Sequence, residues 1–309
     1  MRSFTVGTRG SALALWQTRH VTALLAPQTT AISERIITTQ GDVNLTDRLQ
    51  GALEKGFFTR ELEAALHAKE IDWAVHSLKD LPTRPPKGLS IGATVRRAPA
   101  ADLLILRQDA YDEAAGVLPL RRGAKVGSSS LRREALLRHF APWCLPQPLR
   151  GNVPTRVEKL KKGLYDGILL AEAGVSRLGL DLSGLVVLRL NPRRWVCAPG
   201  QGAVGVQCRE DDAEVLKLLS ALDDAPTRRA VTIERDFLRV LEGGCTTPFG
   251  AYVDGGEAFL GLLTDAGWKT TSVHLPEEAP NDAWLQQQLD TLTKSSPTEA
   301  TDEWLTRRV

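Results

Sequence analysis

The sequence predicts an α/β protein with a smaller α+β unit at its C-terminal end. Three observations carry that expectation. Through the first two thirds, apolar runs of strand length alternate with segments whose apolar residues recur at helical spacing. The joints between them are rich in Gly, Pro, Ser and Asn, residues that turn or cap a chain. The 309 residues are 42% apolar and 25% charged, the balance of a globular protein long enough for two or three domains.

The elements follow in order. Phe4–Val6 reads as a strand running into GTRGS (Gly7–Ser11). A helix is expected over Ala12–Leu25, with Leu13, Trp16, Val21, Leu24 and Leu25 at helical spacing. A strand, a Gly-flanked loop and a helix start can form an anion site from backbone N–H groups and the helix dipole. Asp42–Gly56 has no clean period and reads as a long loop. Thr59–Ala68 is a helix with Phe58, Leu62, Ala65 and Leu66 on one face, and Ile71–Val75 a strand entering HSLKDLP (His76–Pro82). Pro82, Pro85 and Pro86 stop regular structure there.

Ser90–Thr94 and Asp102–Leu106 are expected strands on either side of Arg96–Ala100, a candidate crossover between domains. Ala124–Gly127 is a strand, and Ser128–Ser130 offers a cap for a helix over Leu131–His139. Asn152 and Pro154 open a helix over Arg156–Lys162, ended by Gly163. Gly167–Ala171 is a strand feeding a short helix that contains Arg177. Val186–Leu190 is a strand, Asn191–Pro192 begins a second crossover, and Pro199–Gly202 turns into a strand over Ala203–Cys208. Thr227–Leu241 is a strongly amphipathic helix stopped by Gly243 and Gly244; short strands follow, then a helix around Asp282–Leu292.

Several function classes are excluded at this level. No run approaches the ~18 apolar residues of a membrane span. The opening MRSFTVGTRGS lacks the apolar stretch of a secretory signal. Cys144, Cys197, Cys208 and Cys245 are too few and too dispersed for a disulfide framework, so free thiols in a reducing, cytoplasmic compartment are expected. Neither a metal-ligand cluster nor a nucleotide fingerprint is visible.

The net charge of +2 hides a local imbalance. Arg121–Arg156 holds eight Lys or Arg against Glu134 alone, whereas the stretch from Asp254 onward holds ten acids against four bases. Arg supplies 28 of the 39 basic residues, and its planar fork suits carboxylate or phosphate. An anionic ligand is expected. Nucleic acid fits the charge but not the 6% of aromatics or the absence of stacking residues in the basic stretch.

Five segments stand out together: GTRGS at 7–11, HSLKDLP at 76–82, GSSSLRR at 127–133, RGNVPTR at 150–156 and EGGCTTP at 242–248. In this order and spacing the chain resembles the porphobilinogen deaminase (hydroxymethylbilane synthase) family. The likeness runs over about residues 3–250 and includes KGFFTRELE (55–63), PGQGAVGVQCR (199–209) and ERDFLRVLEGGC (234–245). Arg60, Ser128 and Gln207 stand where the family often has Lys, Thr and Glu.

The resemblance implies a transferase of tetrapyrrole biosynthesis that joins four porphobilinogens head to tail, releases ammonia at each step and frees hydroxymethylbilane by hydrolysis. It implies a dipyrromethane cofactor held by a thioether to a cysteine, here Cys245. The Gly-Gly pair before Cys245 and the Pro after it place that thiol on a loop, where a thiolate could attack an electrophilic carbon. Asp80 takes the catalytic role: deamination builds positive charge on a pyrrole ring, and a carboxylate near the ring N–H stabilises it and shuttles protons. A four-unit chain on a two-unit cofactor carries about twelve carboxylates, which need cationic partners to enter a site. The resemblance assigns Lys79, Asp80, Ser130, Arg132 and Arg133 to the cofactor, and Arg9, Ser11, Arg150, Arg156 and Arg177 to the substrate and growing chain.

The implied fold is α/β: two domains like those of periplasmic binding proteins, with mixed sheets, and a smaller α+β domain. Domain 1 is expected over 1–96 and 198–219, domain 2 over 101–193 and domain 3 over 222–309. The Asp42–Gly56 loop is expected to act as a lid. A monomer working on porphobilinogen is expected, without nucleic acid or membrane, with a transient hand-over to the next pathway enzyme. A carboxylate-binding module without activity fits the arginines but leaves Cys245 unexplained. A cysteine acyl transferase would need a base beside Cys245, and the sequence places no His near it.

Overall fold

In the computed structural model the described residues are 2–29, 31–40, 59–242, 248–299 and 305–308. The expected lid loop Asp42–Gly56 and the expected attachment residue Cys245 lie outside them.

The chain opens with β1 (Phe4–Thr8), α1 (Ala12–Leu25) and β2 (Ile32–Ile36). After the undescribed stretch come α2 (Arg60–His67), β3 (Trp73–Ser77), a single 3₁₀ turn at Leu78–Asp80 and β4 (Leu89–Val95). Then follow β5 (Asp102–Arg107), β6 (Lys125–Ser128), α3 (Leu131–Phe140), β7 (Leu145–Pro148), α4 (Val153–Lys161), β8 (Gly167–Ala171), α5 (Glu172–Leu178) and β9 (Leu185–Leu190). The remainder is β10 (Val204–Arg209), α6 (Ala213–Leu219), α7 (Ala225–Glu242), β11 (Phe249–Asp254), β12 (Glu257–Thr264), β13 (Gly267–His274), α8 (Asp282–Lys294) and β14 (Leu305–Arg308).

These elements divide into two units. Unit 1 holds 1–98 and 202–231; unit 2 holds 99–201 and 232–309. Unit 1 is built on a mixed sheet of order β2-β1-β3-β10-β4, in which β1, β2 and β3 are parallel and β10 is antiparallel to both its neighbours. Unit 2 has a mixed sheet of order β14-β9-β5-β8-β6-β7, with β6, β7 and β8 parallel and β5 antiparallel to β8 and β9. It also carries the antiparallel sheet β11-β12-β13. The α/β class expected from the alternation is the class the chain adopts.

The inner strands are largely apolar because both faces of each mixed sheet are covered there. In β3, Trp73 and Val75 face a cluster with Val21, Leu25, Val206 and Leu219, while Ala74 faces Leu62, Leu66 and Leu89. In β5, Leu104 and Leu106 pack with Leu136, Leu137 and Phe140, while Leu103 and Ile105 pack with Val157, Leu160 and Leu170. One-residue alternation therefore assigns each side chain to its layer. The β11-β12-β13 sheet has its own cluster, in which Phe249, Leu260 and Leu262 meet Phe237, Leu285 and Leu289.

Four elements depart from the sequence expectation by being present at all, the C-terminal strand β14 among them. The β2 strand ISERI shows no apolar alternation because it is an exposed edge. The β7 strand LPQP is an edge strand with two prolines, tolerated because an edge needs fewer N–H donors. The α6 helix is opened by Asp212, whose carboxylate accepts from the Val215 N–H at 3.2 Å.

Two boundaries also move. The strand expected at Ile71–Val75 lies at Trp73–Ser77, because the Asp72 carboxylate takes the Thr5 N–H at 2.7 Å and regular pairing with β1 begins at Trp73. The helix expected from Arg156 starts at Val153, one turn earlier, capped by Asn152, which accepts from the Thr155 N–H at 3.0 Å.

Candidate active site

The two mixed sheets share a plan. The parallel strands run β2-β1-β3 in unit 1 and β7-β6-β8 in unit 2. In each trio the strand that comes first in the chain lies in the middle, so the connections part on either side of it. In open α/β sheets ligands bind at the carboxyl ends of the strands, at such a switch point. Every expected site residue among the described residues follows a strand of one of these trios.

In unit 1, β1 runs into Arg9 and Ser11. The Ser11 hydroxyl caps α1, accepting from the Ala14 N–H at 3.3 Å. A Cβ on Gly7, one residue before the strand end, would stand 2.3 Å from Ile71 Cδ1, so any larger residue there would displace that side chain. Neighbouring β3 runs into the turn Leu78–Asp80. Leu78 and Leu81 are buried with Ala203 and Val231, and the Leu78 N–H donates to the Ala203 carbonyl at 3.0 Å. That anchorage leaves Lys79 and Asp80 exposed at the strand end. His76, on β3 just before this turn, is buried. Burial first, and then the charge of Arg9, lower its pKa to about 4, so the imidazole is neutral at physiological pH.

In unit 2, β6 leads to Ser130, the N-cap of α3, whose hydroxyl accepts from the Arg133 N–H at 3.4 Å. Ser129 donates its hydroxyl to the Leu149 carbonyl. Past β7 comes Arg150, half-buried; Arg156 in the first turn of α4 donates Nε–H to the Gly151 carbonyl at 2.7 Å. Arg177 lies in the last turn of α5, after β8, and burial lowers its pKa to about 10, still a cation at neutral pH. Arg138, left outside the expected site, forms an exposed pair with Glu134 at 2.8 Å.

Arg132 and Arg133 are not displayed to solvent. Both are buried, and both pair with Asp102 at the start of β5: Arg132 Nη2 at 2.7 Å and Arg133 Nη2 at 2.6 Å. Their Nη1 groups donate to the carbonyls of Val196 at 2.8 Å and Leu169 at 3.2 Å. Asp102 also accepts from Trp195 Nε1 at 3.0 Å and Gln201 Nε2 at 2.8 Å. Burial works to raise its pKa, and the two guanidiniums overcome that and hold it well below the usual carboxylate range. The cluster carries two positive charges and one negative. The Nε–H of each arginine is buried without a partner, a state that costs about 1–3 kcal/mol per donor unless an acceptor arrives.

The segment containing Cys245 is held at its flanks. Glu234 of α7 is fully buried; its carboxylate accepts from the Gly200 N–H at 2.7 Å and the Val253 N–H at 2.8 Å. The Ala251 N–H donates to the Cys197 carbonyl at 3.1 Å. The other three cysteines, Cys144, Cys197 and Cys208, are buried and free.

Asp102, Trp195, Gln201 and Glu234 are absent from the sequence reading of the site. One signal for Asp102 was available: an acid opening the wholly apolar run DLLIL has to find cationic partners when that strand is buried. Nothing local marks Glu234, which reads as one more charge on an amphipathic helix.

Known proteins resemble this chain over most of its length. The profile "Porphobilinogen deaminase, dipyromethane cofactor binding domain" matches residues 4–217, and "Porphobilinogen deaminase, C-terminal domain" matches residues 228–263. The porphobilinogen deaminase of Desulforamulus reducens is 46% identical over 253 residues, covering 80% of this chain and 79% of that protein. That of Carboxydothermus hydrogenoformans is 42% identical over 287 residues, covering 88% and 89%. Among solved structures, the periplasmic VFT2 domain of Bordetella pertussis BvgS is 16% identical with a TM-score of 0.43, covering 71% of this chain and 86% of that one. Among the described residues no helix is long and apolar enough to cross a membrane. With a dipyrromethane cofactor-binding domain over most of its length and relatives matched across four fifths of the chain, this protein belongs to the porphobilinogen deaminase family.

Proposed function

We infer that this chain is a hydroxymethylbilane synthase, condensing four porphobilinogens head to tail on a covalently held dipyrromethane, with loss of ammonia, and releasing hydroxymethylbilane by hydrolysis. The observation that carries the reading is the placement of Asp80. It is exposed at the end of β3, beside the Arg9–Ser11 loop that ends β1, and the buried Leu78 and Leu81 hold it there.

The cofactor's carboxylates fit the donors available. The Asp102 cluster has one uncompensated positive charge and two unpartnered Nε–H groups, which suits an anionic group. Lys79 and Asp80 in unit 1, and Ser130, Arg132 and Arg133 in unit 2, are the proposed cofactor-binding residues beside Cys245. When bound, the dipyrromethane supplies the pyrrole to which the first substrate is joined. Asp80 in its acid form gives a proton to the departing amino group; the carboxylate so formed accepts a hydrogen bond from the pyrrole N–H, stabilises the positive charge left behind, and recovers a proton from the ring carbon when the new bond is made. Arg9, Ser11, Arg150, Arg156 and Arg177 pair with acetate and propionate groups of substrate and product chain.

Cys245 is proposed as the thioether attachment point. The Gly-Gly-Cys-Thr-Thr-Pro sequence and the pinned flanks of its segment support this. A third domain over 222–309, beside domains over 1–96 with 198–219 and over 101–193, is supported by the separate apolar cluster around Phe237 and Leu260. A cytoplasmic location accords with the three buried free thiols. A monomer that hands its product to the next pathway enzyme completes the reading.

Intact-protein mass spectrometry tests it. The purified chain is expected to carry excess mass equal to a dipyrromethane, lost in Cys245→Ala. A bare mass that persists after incubation with porphobilinogen or hydroxymethylbilane overturns both the attachment and the role of Asp80.

A further inference from the structure

The buried carboxylate of Asp102 has no part in the chemistry outlined above, yet four side chains converge on it. Arg132 and Arg133 come from α3, and Trp195 and Gln201 from the segment that leads out of unit 2. Gln201 also donates to the Ala100 carbonyl at 2.7 Å, in the segment that leads into the unit. Two adjacent guanidiniums repel one another in a dry interior, and each would swing toward whatever acceptor it could reach. One carboxylate oxygen on each removes that freedom: Oδ2 takes Arg132 and Oδ1 takes Arg133. The carboxylate neutralises one of the two charges and leaves the other.

We propose that Asp102 is the positioning residue of the unit 2 anion site: it holds Arg132 and Arg133 side by side, with one positive charge and two Nε–H donors left for a carboxylate of the bound dipyrromethane. Asp102 itself touches no ligand. It acts through the arginines, and its other two partners tie the pair to the backbone segments at either end of the unit. Structural filling alone would not require a carboxylate. An apolar residue in place of the whole cluster would serve a core as well or better, because burying three charges is costly. This proposal rests on the reading of Arg132 and Arg133 as cofactor-binding residues.

The test measures covalent loading rather than turnover. Unmodified chain, Asp102→Asn, Asp102→Glu and Trp195→Phe are purified and checked for fold by far-UV circular dichroism. The fraction carrying dipyrromethane mass is then read, as purified and after incubation of cofactor-free protein with hydroxymethylbilane. Asp102→Asn is expected to fold and to load at least tenfold less, because the arginine pair loses its common acceptor. Asp102→Glu, which restores the charge one methylene away, is expected to load at an intermediate level. Trp195→Phe removes a donor from the same carboxylate but leaves both arginines held, so it is expected to load several-fold better than Asp102→Asn.

A folded, fully loaded Asp102→Asn overturns the proposal. So does a Trp195→Phe as poorly loaded as Asp102→Asn, since the effect would then belong to the packing of the segment. If Asp102→Asn does not fold, Asp102→Glu decides against Trp195→Phe: under-loading of the first alone supports the proposal, and full loading of both overturns it. Loading of the unmodified chain tests the underlying reading; only the ratio between variants tests Asp102.

Discussion

Arg132 and Gly250 meet at one atom, the carbonyl oxygen of Val196. Arg132 Nη1 donates to it at 2.8 Å, and a Cβ on Gly250 would stand 2.6 Å from it. The arginine belongs to the proposed anion site. The glycine is the second residue of β11, the strand that follows the segment containing Cys245. A short stretch of backbone, Trp195–Cys197, thus holds both the cation and the flank of the proposed attachment loop in unit 2.

Gly250→Ala should therefore reach beyond stability. Its Cβ would also fall 3.0 Å from the Cys197 carbonyl oxygen, and backbone atoms do not step aside as a flexible side chain does. Overpacking of this kind costs about 1–3 kcal/mol. Urea unfolding is expected to show that loss, and intact-mass measurement a lower fraction of loaded protein.

Asp80 and Leu78 divide the work of one turn and should separate in experiment. Asp80 is exposed, so Asp80→Asn is expected to leave the thermal midpoint unchanged while lowering kcat by roughly 10²–10⁴, the range for loss of a positioned proton-transfer group. Leu78 is 1% exposed. Leu78→Ala is expected to destabilise by about 2–5 kcal/mol through the cavity it leaves. Steady-state kinetics beside thermal unfolding distinguishes the two.

His76 predicts an acid-side loss of stability. Its folded pKa of about 4 lies below the unfolded value of 6.5, so the unfolded chain binds the proton first as pH falls. The stabilisation is complete above about pH 6.5, declines below it and is gone below about pH 4, an effect on the order of 3 kcal/mol. Unfolding free energy measured from pH 7 to pH 4 is expected to fall more steeply for the natural chain than for His76→Gln. Equal slopes would remove His76 as the cause.

The thiols should differ sharply in reactivity. Burial pushes Cys144 up to about 11 and raises Cys208, and Cys197 is fully buried. Native cofactor-free protein is expected to take up iodoacetamide at Cys245 alone, and loaded protein none. Peptide mapping after alkylation reads the sites directly, and labelling of Cys144 or Cys208 in the native state would contradict the burial argument.

Much of this protein was legible in its sequence because the information is local. Alternation and turn residues place α1, β5, β8, α7 and α8 within a few residues, since each depends on its own apolar period and caps. Most of the expected site residues among the described residues follow strands that the sequence also marks, Arg150 and Arg156 after β7 being the exceptions, and the family likeness rests on contiguous motifs. Edge strands β2 and β7 escaped because an exposed edge needs no apolar alternation.

What the sequence alone determined was the α/β class, the family and the Arg-rich, carboxylate-seeking character of the chain. Only the tertiary structure decided that Arg132 and Arg133 are held by a buried carboxylate, that of Asp102. Arg132 and Arg133 read as two more cations at a helix start, 30 and 31 residues beyond Asp102, and nothing in that spacing pairs them. The reason is physical. A buried charge is tolerable only with its partner in place, and the partner is chosen by sheet order and strand register, which bring the first residue of β5 against α3 and against the segment that leaves the unit.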